Sequence, residues 1–216
     1  MNYFDYKNGA LYCEEVPVEN IVRATGSPVY IYSYRTIERH YKVFDNAFKG
    51  VPHIICYSCK ANSNIAILRA IGRLGGGIDI VSVGELYRSN AAYIPNDKIV
   101  FSGVGKTEEE IVAAIRSNIL MINVESEEEL STIARIASKM KKHVPLSIRV
   151  NPEIDPKTHP YITTGLKKNK FGVMREDAMK LYDRIKAHKY LMPVGISSHI
   201  GSQILELGPS RRLYVH

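Results

Sequence analysis

The chain has 216 residues, which is enough for one substantial domain with a core of its own. Its hydrophobic fraction of 45% and charged fraction of 24% are typical of a globular protein. Lys and Arg outnumber Asp and Glu by 29 to 22, but the densest basic cluster, at 167–170, lacks interleaved aromatic residues, so we expect a solvated loop there and no nucleic-acid partner.

The first 33 residues differ in pattern from the rest and are interpreted as a separate N-terminal segment. Within them, residues 28–32 form a short β-rich run. Ser33 is a suitable N-cap for a helix over residues 34–48. This segment need not belong to the sheet that follows it.

From residue 53 onward, short β-rich runs alternate with longer helical stretches. The alternation indicates parallel β-α units, and the Val- and Ile-rich strands predict a sheet that is apolar on both faces. The predicted strands cover residues 53–58, 77–82, 98–102, 119–124, 145–150 and 192–199. The predicted helices cover residues 63–74, 85–93, 107–117, 126–141 and 175–188.

Polar residues collect where the predicted strands end. Barrel enzymes build their sites at the carboxyl ends of many strands, whereas an open doubly wound sheet concentrates its site at one switch point. We therefore predict an α/β fold, an incomplete TIM-like (β/α) barrel with about six of eight β-α units, over residues 34–207. The strand-end residues are Lys60, Asn62, Asp79, Ser82, Ser102, Asn123, Glu125, Arg149, Asn151, Ser198 and His199.

Several motifs that suggest other chemistries fail on spacing or position. Residues 103–107 lack the first glycine of a phosphate-binding loop, and Thr107 with Glu110 predicts a capping box instead. Cys56 and Cys59 have redox spacing, but in a strand they would face opposite sides, which favours core cysteines. The histidines show no metal-ligand spacing, so no metal site is predicted.

The compartment follows from what the chain lacks. Its three cysteines are too few and odd in number for a secreted disulfide framework. The N-terminus has no signal-peptide pattern, and no apolar run approaches the roughly 18 residues of a membrane span. We expect a cytoplasmic protein without a membrane partner.

Two strand-end residues suggest a chemistry. By alternation Lys60 shares a face with Cys56 and Ser58, and an amine placed in a barrel mouth can act as a Schiff-base nucleophile. His199 precedes Gly201 and Ser202, which supply a flexible backbone and a hydroxyl suited to a phosphate. Taken singly, each residue is more often an ordinary surface or packed side chain.

Several motifs in order carry a family resemblance over about residues 9–208. Tyr-Ser-Cys-Lys-Ala-Asn at 57–62, Asp-Ile-Val-Ser at 79–82 and Gly-Glu-Leu at 84–86 resemble the fold-type III pyridoxal-phosphate decarboxylases. Phe-Ser-Gly-Val-Gly-Lys-Thr at 101–107, Arg-Val-Asn-Pro at 149–152, His-Pro-Tyr-Ile at 159–162, Lys-Phe-Gly at 170–172 and His-Ile-Gly-Ser-Gln at 199–203 are similar to the diaminopimelate decarboxylases among them.

The resemblance implies a fold, a cofactor and site roles. It implies an alanine-racemase-like barrel over 34–207, a β domain that residues 1–33 would join, and a homodimer. The cofactor would be pyridoxal 5'-phosphate, bound as a Schiff base by Lys60. His199 would stack on its ring, Ser202 would lie near its phosphate, and Asp79 and Arg149 would line the site. The implied reaction is the decarboxylation of the amino acid meso-diaminopimelate to L-lysine.

The chain also departs from that family. About six β-α units precede a divergent tail at 208–216, and the family's later phosphate loop, pyridine-nitrogen partner and substrate-binding arginines have no counterpart. We interpret the sequence as the N-terminal part of such an enzyme, either active or inactive by itself. Alternatives are a non-catalytic pyridoxal-phosphate homeostasis barrel, an ornithine or arginine decarboxylase, or a remnant without ligand.

Overall fold

The computed structural model describes residues 2–152 and 171–201. Within these ranges the chain forms a three-stranded antiparallel sheet and a six-stranded parallel sheet. None of the helices in the described ranges is both long and apolar enough to cross a bilayer.

The antiparallel sheet near the N-terminus was not predicted from the sequence. Strands β1 (Phe4–Lys7) and β2 (Ala10–Cys13) form a hairpin, β3 (Val16–Pro17) pairs with β2, and helix α1 (Val18–Thr25) follows. Asn8 and Gly9 join β1 to β2 with φ values of 50° and 79°. Two successive positive φ values are what a tight two-residue hairpin turn requires, and Asn-Gly is its favoured sequence.

The predicted β-rich run at 28–32 is wrong as a strand. These residues lie outside every strand, and Tyr30 is 88% exposed. A β-favouring composition forms a strand only where a neighbouring strand can pair with it. Helix α2 (Tyr34–Ala47) begins as predicted, because the Ser33 hydroxyl accepts a hydrogen bond from Thr36 N at 3.0 Å.

The six predicted parallel strands are confirmed, with bounds shifted by a few residues. They pair in sequence order, as successive β-α units of a barrel do. The strands are β4 (Cys56–Ser58), β5 (Gly77–Ile80), β6 (Ile99–Phe101), β7 (Met121–Val124), β8 (Val144–Arg149) and β9 (Leu191–Ser197). The helices are α3 (Ile65–Arg73), α4 (Val83–Ala91), α5 (Glu108–Ser117), α6 (Glu127–Met140) and α7 (Arg175–Ala187).

The parallel sheet has one apolar face and one mixed, mainly polar face, which corrects the expectation that both faces are apolar. Side chains of one alternation pair across the strands and are almost completely buried with the helices in a single core. They are Ile78, Ile80, Ile99, Phe101, Ile122, Val124, Leu146 and Ile148. The opposite alternation, called the polar face below, carries Ser58, Asp79, Asn123, Ser147 and Arg149 together with the apolar Val100 and Met121.

Gly77 allows β5 to approach the chain entering β6. A Cβ added at Gly77 would lie 2.2 Å from Lys98 O and 3.0 Å from Cys56 Sγ. Backbone oxygen cannot yield as a flexible side chain can, so the close approach of these segments depends on the missing Cβ.

The ladder between β8 and β9 contains an irregularity. Leu146 pairs with Pro193 but Ser147 pairs with Gly195, so Val194 is an extra residue on β9. The Tyr182 hydroxyl on α7 donates to Gly195 O at 2.5 Å and accepts from Ile148 N at 3.4 Å. The hydroxyl thereby bridges the two strands beside the irregularity.

Strand β9 has β8 as its one partner among the described residues. Three of its apolar side chains are exposed: Met192 at 43%, Val194 at 50% and Ile196 at 70%. The inner strands β5 to β8 show no comparable exposure of apolar side chains.

Candidate active site

Lys60 follows β4 directly, in a single 3-10 turn at Cys59–Ala61, and it is exposed. Lys60 was expected to share the face of Cys56 and Ser58 by strand alternation, but the strand ends at Ser58 and a turn redirects the chain. Lys60 nevertheless interacts electrostatically with Asp79, the cross-strand partner of Ser58. The Tyr57 hydroxyl donates to Asn62 O at 3.3 Å and helps to hold this turn.

Asp79 lies on the polar face of β5, beside its cross-strand partner Ser58. Its Oδ1 accepts a hydrogen bond from Ser102 Oγ at 2.5 Å. Burial raises the pKa of Asp79, while the Ser102 hydrogen bond and the positive charges of Lys60 and Arg149 act to lower it. Lys60 and Arg149 therefore lie within electrostatic reach of this carboxyl.

Arg149 ends β8 and is oriented by a buried acid. Its Nη1 donates to both carboxylate oxygens of Glu125, at 2.7 and 3.0 Å, and Glu125 is only 4% exposed. Glu125 Oε1 also accepts from Gly103 N at 3.1 Å, and the Arg149 guanidinium lies 5.6 Å from the centre of the Phe171 ring. A charged pair with these additional contacts fixes the guanidinium direction.

His199 comes two residues after β9, with part of its surface exposed. Desolvation lowers the pKa of His199, and the positive charges of Arg149 and Lys60 act in the same direction. The structure therefore brings Lys60, Asp79, Arg149 and His199 together at one end of the sheet. Ser202, the other predicted site residue, lies outside the described residues.

Lys106 belongs to the loop framework rather than to a ligand site. Its Nζ donates to Gly103 O at 2.6 Å, Asn123 O at 2.9 Å and Glu129 Oε1 at 2.7 Å, and the side chain is 1% exposed. These three bonds use all three donor hydrogens of an ammonium group. The predicted capping box of Thr107 and Glu110 is confirmed.

Three side chains that sequence reasoning did not assign to the site connect with Asp79. Ser147 Oγ donates to Asn123 Oδ1, Asn123 Nδ2 donates to Ser102 Oγ at 2.8 Å, and Ser102 donates to Asp79. Asn123 and Ser147 are cross-strand partners on the polar face. Ser102 and Asn123 had a signal as strand-end polar residues, whereas Ser147 lies within a predicted strand and had none.

Residues 34–212 match the family model described as "Pyridoxal-dependent decarboxylase, pyridoxal binding domain". The chain belongs to this family. The expected cofactor class and the fold are thereby confirmed. Among the described residues, no group of three or more His, Cys, Asp or Glu side chains is arranged to hold a metal ion.

Relatives of this decarboxylase-family chain are named diaminopimelate decarboxylase. The protein from Haemophilus influenzae is 48% identical over 209 residues, and that from Vibrio cholerae is 47% identical over 210; each match covers 97% of this chain and 50% of the relative. The crystal structure from Helicobacter pylori with L-lysine has a TM-score of 0.86 at 46% identity, covering 89% of this chain and 49% of that one. The chain spans about half the length of the relatives it matches.

The donor set of this decarboxylase-family site fits pyridoxal phosphate in part. A primary amine, an imidazole, a carboxylate and a guanidinium converge there. Ser197 Oγ, on the β9 residue that pairs with Arg149, is buried without a hydrogen-bond partner among the described residues. A buried hydroxyl beside a cation can be satisfied by an anionic or polar ligand group.

Proposed function

We propose that this chain forms the pyridoxal-binding part of an amino-acid carboxy-lyase that converts meso-diaminopimelate to L-lysine. The observation that carries the proposal is the convergence of Lys60, Asp79, Arg149 and His199 at the carboxyl ends of β4, β5, β8 and β9. The relatives at 47–48% identity carry the name of that enzyme, which supports this substrate.

Each residue has a role that its chemistry supports. Lys60 Nζ would bind the cofactor, which supplies an electron sink when carbon dioxide leaves the substrate. His199 is favoured in its neutral form because its pKa is lowered, and a neutral imidazole can lie against an aromatic ring. Asp79 balances the charges of Lys60 and Arg149. Ser202 is proposed to lie near the cofactor's phosphate.

Alternative functions in the same fold receive less support. A lysine decarboxylase from Selenomonas ruminantium has a TM-score of 0.78 but only 19% identity, which shows a shared fold and nothing about substrate. If the chain were an ornithine or arginine decarboxylase, or a non-catalytic homeostasis barrel, its similarity to diaminopimelate decarboxylases would be unexplained.

Two further parts of the proposal concern assembly and compartment. A homodimer follows from the family resemblance, and sedimentation equilibrium of the full protein tests it. A cytoplasmic location is supported by three cysteines that are all free, as a reducing compartment maintains them. The division into an N-terminal segment at 1–33, a barrel at 34–207 and a tail at 208–216 is proposed on the same resemblance.

The proposal is tested by trapping the cofactor. The 216-residue chain is incubated with pyridoxal phosphate, reduced with borohydride and mapped by mass spectrometry. We expect one modified peptide, containing Lys60. Lys60→Arg should abolish the modification because a guanidinium cannot form the imine, whereas Lys49→Arg, at another exposed lysine, should leave it intact. Modification at any other lysine would contradict the site assignment.

The substrate is tested by the same trapping in the full protein, because the substrate-binding arginines of the family have no counterpart in these 216 residues. meso-Diaminopimelate, added before the reduction, should protect Lys60 from trapping, because a substrate amine competes for the cofactor. Ornithine and arginine at the same concentration should protect less. Equal protection by all three would contradict the proposed specificity.

A further inference from the structure

A chain of hydrogen bonds crosses four neighbouring strands on the polar face. It runs from Ser147 on β8 through Asn123 on β7 and Ser102 after β6 to Asp79 on β5. Ser147 is completely buried and Asn123 is 8% exposed, so water cannot replace these bonds readily. The hydrogen-bond chain thus consists of three polar side chains that lead to Asp79, on the face of the sheet opposite the apolar core.

The direction of this chain is determined by the charge at its end. A carboxylate can only accept, so Ser102 must donate its one hydrogen to Asp79 Oδ1. Ser102 then accepts from the Asn123 amide nitrogen, which turns the amide oxygen toward Ser147, and Ser147 must donate to that oxygen. Every donor therefore points toward Asp79, and a protonated Asp79 would favour the reverse direction.

The far end of the chain is anchored in the irregular part of the β8–β9 ladder. Ser147 pairs with Gly195 at the register shift, and Tyr182 bridges Gly195 O and Ile148 N next to it. This contact fixes the backbone on which Ser147 is carried.

We propose that Ser102, Asn123 and Ser147 are positioning residues that hold Asp79 ionised and oriented beside Lys60. The inference deepens the proposed function, on which the role of Lys60 rests. The donor hydrogens act together, because each bond polarises the next and directs a positive dipole end at the carboxylate. The three residues act through Asp79, to which their hydrogen bonds lead.

Other charges also face Asp79 and must stay constant in a test. Lys60, Arg149 and Lys106 each favour the carboxylate, and burial opposes them. The thiols of Cys56 and Cys59 also lie near enough to interact with Asp79, but burial raises the pKa of each to about 11, so both are neutral in the range where a carboxyl titrates. The substitutions tested at Ser102 and Ser147 change none of these groups.

The test measures the titration midpoint of Asp79 in the unliganded full protein by carbon-13 NMR of labelled aspartate. Asp79→Asn identifies the signal. Ser102→Ala should raise the midpoint by about one pH unit, because a hydrogen bond to the charged form is lost. Ser147→Ala should raise it by a smaller amount, about a few tenths of a unit, through the relay.

Two controls separate a positioning role from a packing effect. Ser89→Ala removes an equally buried hydroxyl, which donates to Glu85 O within α4, and should leave the Asp79 midpoint unchanged. Ser102→Thr keeps a hydroxyl at this position and should therefore keep the wild-type midpoint of Asp79. This variant keeps the test usable if Ser102→Ala folds poorly. An unchanged midpoint in Ser102→Ala, or equal effects of Ser147→Ala and Ser89→Ala, would overturn the proposal.

This measurement needs no cofactor. If borohydride trapping fails to modify Lys60 while the graded shifts are observed, the proposed function fails and the hydrogen-bond chain stands. If Lys60 is trapped but the Asp79 midpoints do not change, the positioning role of the hydrogen-bond chain is wrong and the proposed function stands.

Discussion

Glu125 connects three parts of the candidate site. Its carboxylate holds the Arg149 guanidinium, accepts from Gly103 N, and lies 4% exposed directly after β7. A buried acid with a cationic partner and a backbone donor is costly to leave half paired. Glu125 therefore links the loop after β6 to the end of β8.

We predict that Glu125→Gln destabilises the protein by about 3 kcal/mol, because Arg149 is left as a largely buried cation without a charged partner. The control is Glu127→Gln, whose partner Arg184 forms an exposed ion pair at 2.5 Å; it should cost less than about 1 kcal/mol. Urea unfolding of both variants measures the free energies. Similar decreases in the free energy of unfolding of the two variants would show that the buried pair contributes no more to stability than the exposed one.

At the residue level, the sequence predicts which residues stand at strand ends but not which of them touch. Lys60, Asp79, Arg149 and His199 follow from that rule, and the structure brings them together. The bonds from Ser147 to Asp79 depend on the register of four parallel strands, and no turn sets that register in parallel pairs. Glu125 was noted as a strand-end residue, but its pairing with Arg149 needed the same information.

Helix starts on successive elements repeat one device. Ser82, Thr107 and Ser126 each accept from the backbone N–H of a glutamate three residues later. The carboxylates of those glutamates bond backbone N–H groups of the preceding loop, at Val81, Thr107 and Glu125. The caps thus fix the loops that follow β5, β6 and β7, at the end of the sheet where the candidate site lies.

We predict that Tyr182→Phe costs about 1–2 kcal/mol, because Gly195 O and Ile148 N lose their bridge at the register shift. Amide exchange at Ile148 should accelerate in the same variant. Tyr87→Phe, on an exposed part of α4, should change neither quantity. Unaltered exchange at Ile148 in Tyr182→Phe would mean that the hydroxyl does not support the ladder.

Elements that belong to the repeated β-α pattern were predictable, and isolated ones were not. The strands and helices from β4 to β9 were recovered with small errors at their ends, although β4 and β6 have only three residues each. The hairpin of β1 and β2 was missed although Asn8-Gly9 is a strong signal for it, because its two strands lie outside that alternation of strands and helices. Residues 28–32 were overpredicted because β-rich composition says nothing about the presence of a partner strand.

For the whole molecule, β9 is the least protected part of the described sheet. It exposes Met192, Val194 and Ile196 on a strand with one partner among the described residues. Unpaired edges with apolar side chains promote association between copies. For this reason we expect the isolated 216-residue chain to be poorly stable or to aggregate.

We predict that Ile196→Lys reduces self-association of the 216-residue chain, because a charge on an exposed edge strand opposes pairing between copies. Tyr87→Lys adds the same charge to α4 and should have no such effect. Light scattering during size-exclusion chromatography measures the mass of each variant. A monomeric parent chain with a cooperative thermal transition would contradict the prediction.

Gly77 has a consequence for how variation at this position should be read. The residue lies in extended backbone that any amino acid can adopt, yet a methyl group there would collide with Lys98 O. In a saturation library, position 77 would therefore behave like a turn glycine and reject alanine as firmly as tryptophan. The cause would be the spacing of two adjacent backbone segments, and no change of side-chain polarity elsewhere could rescue it.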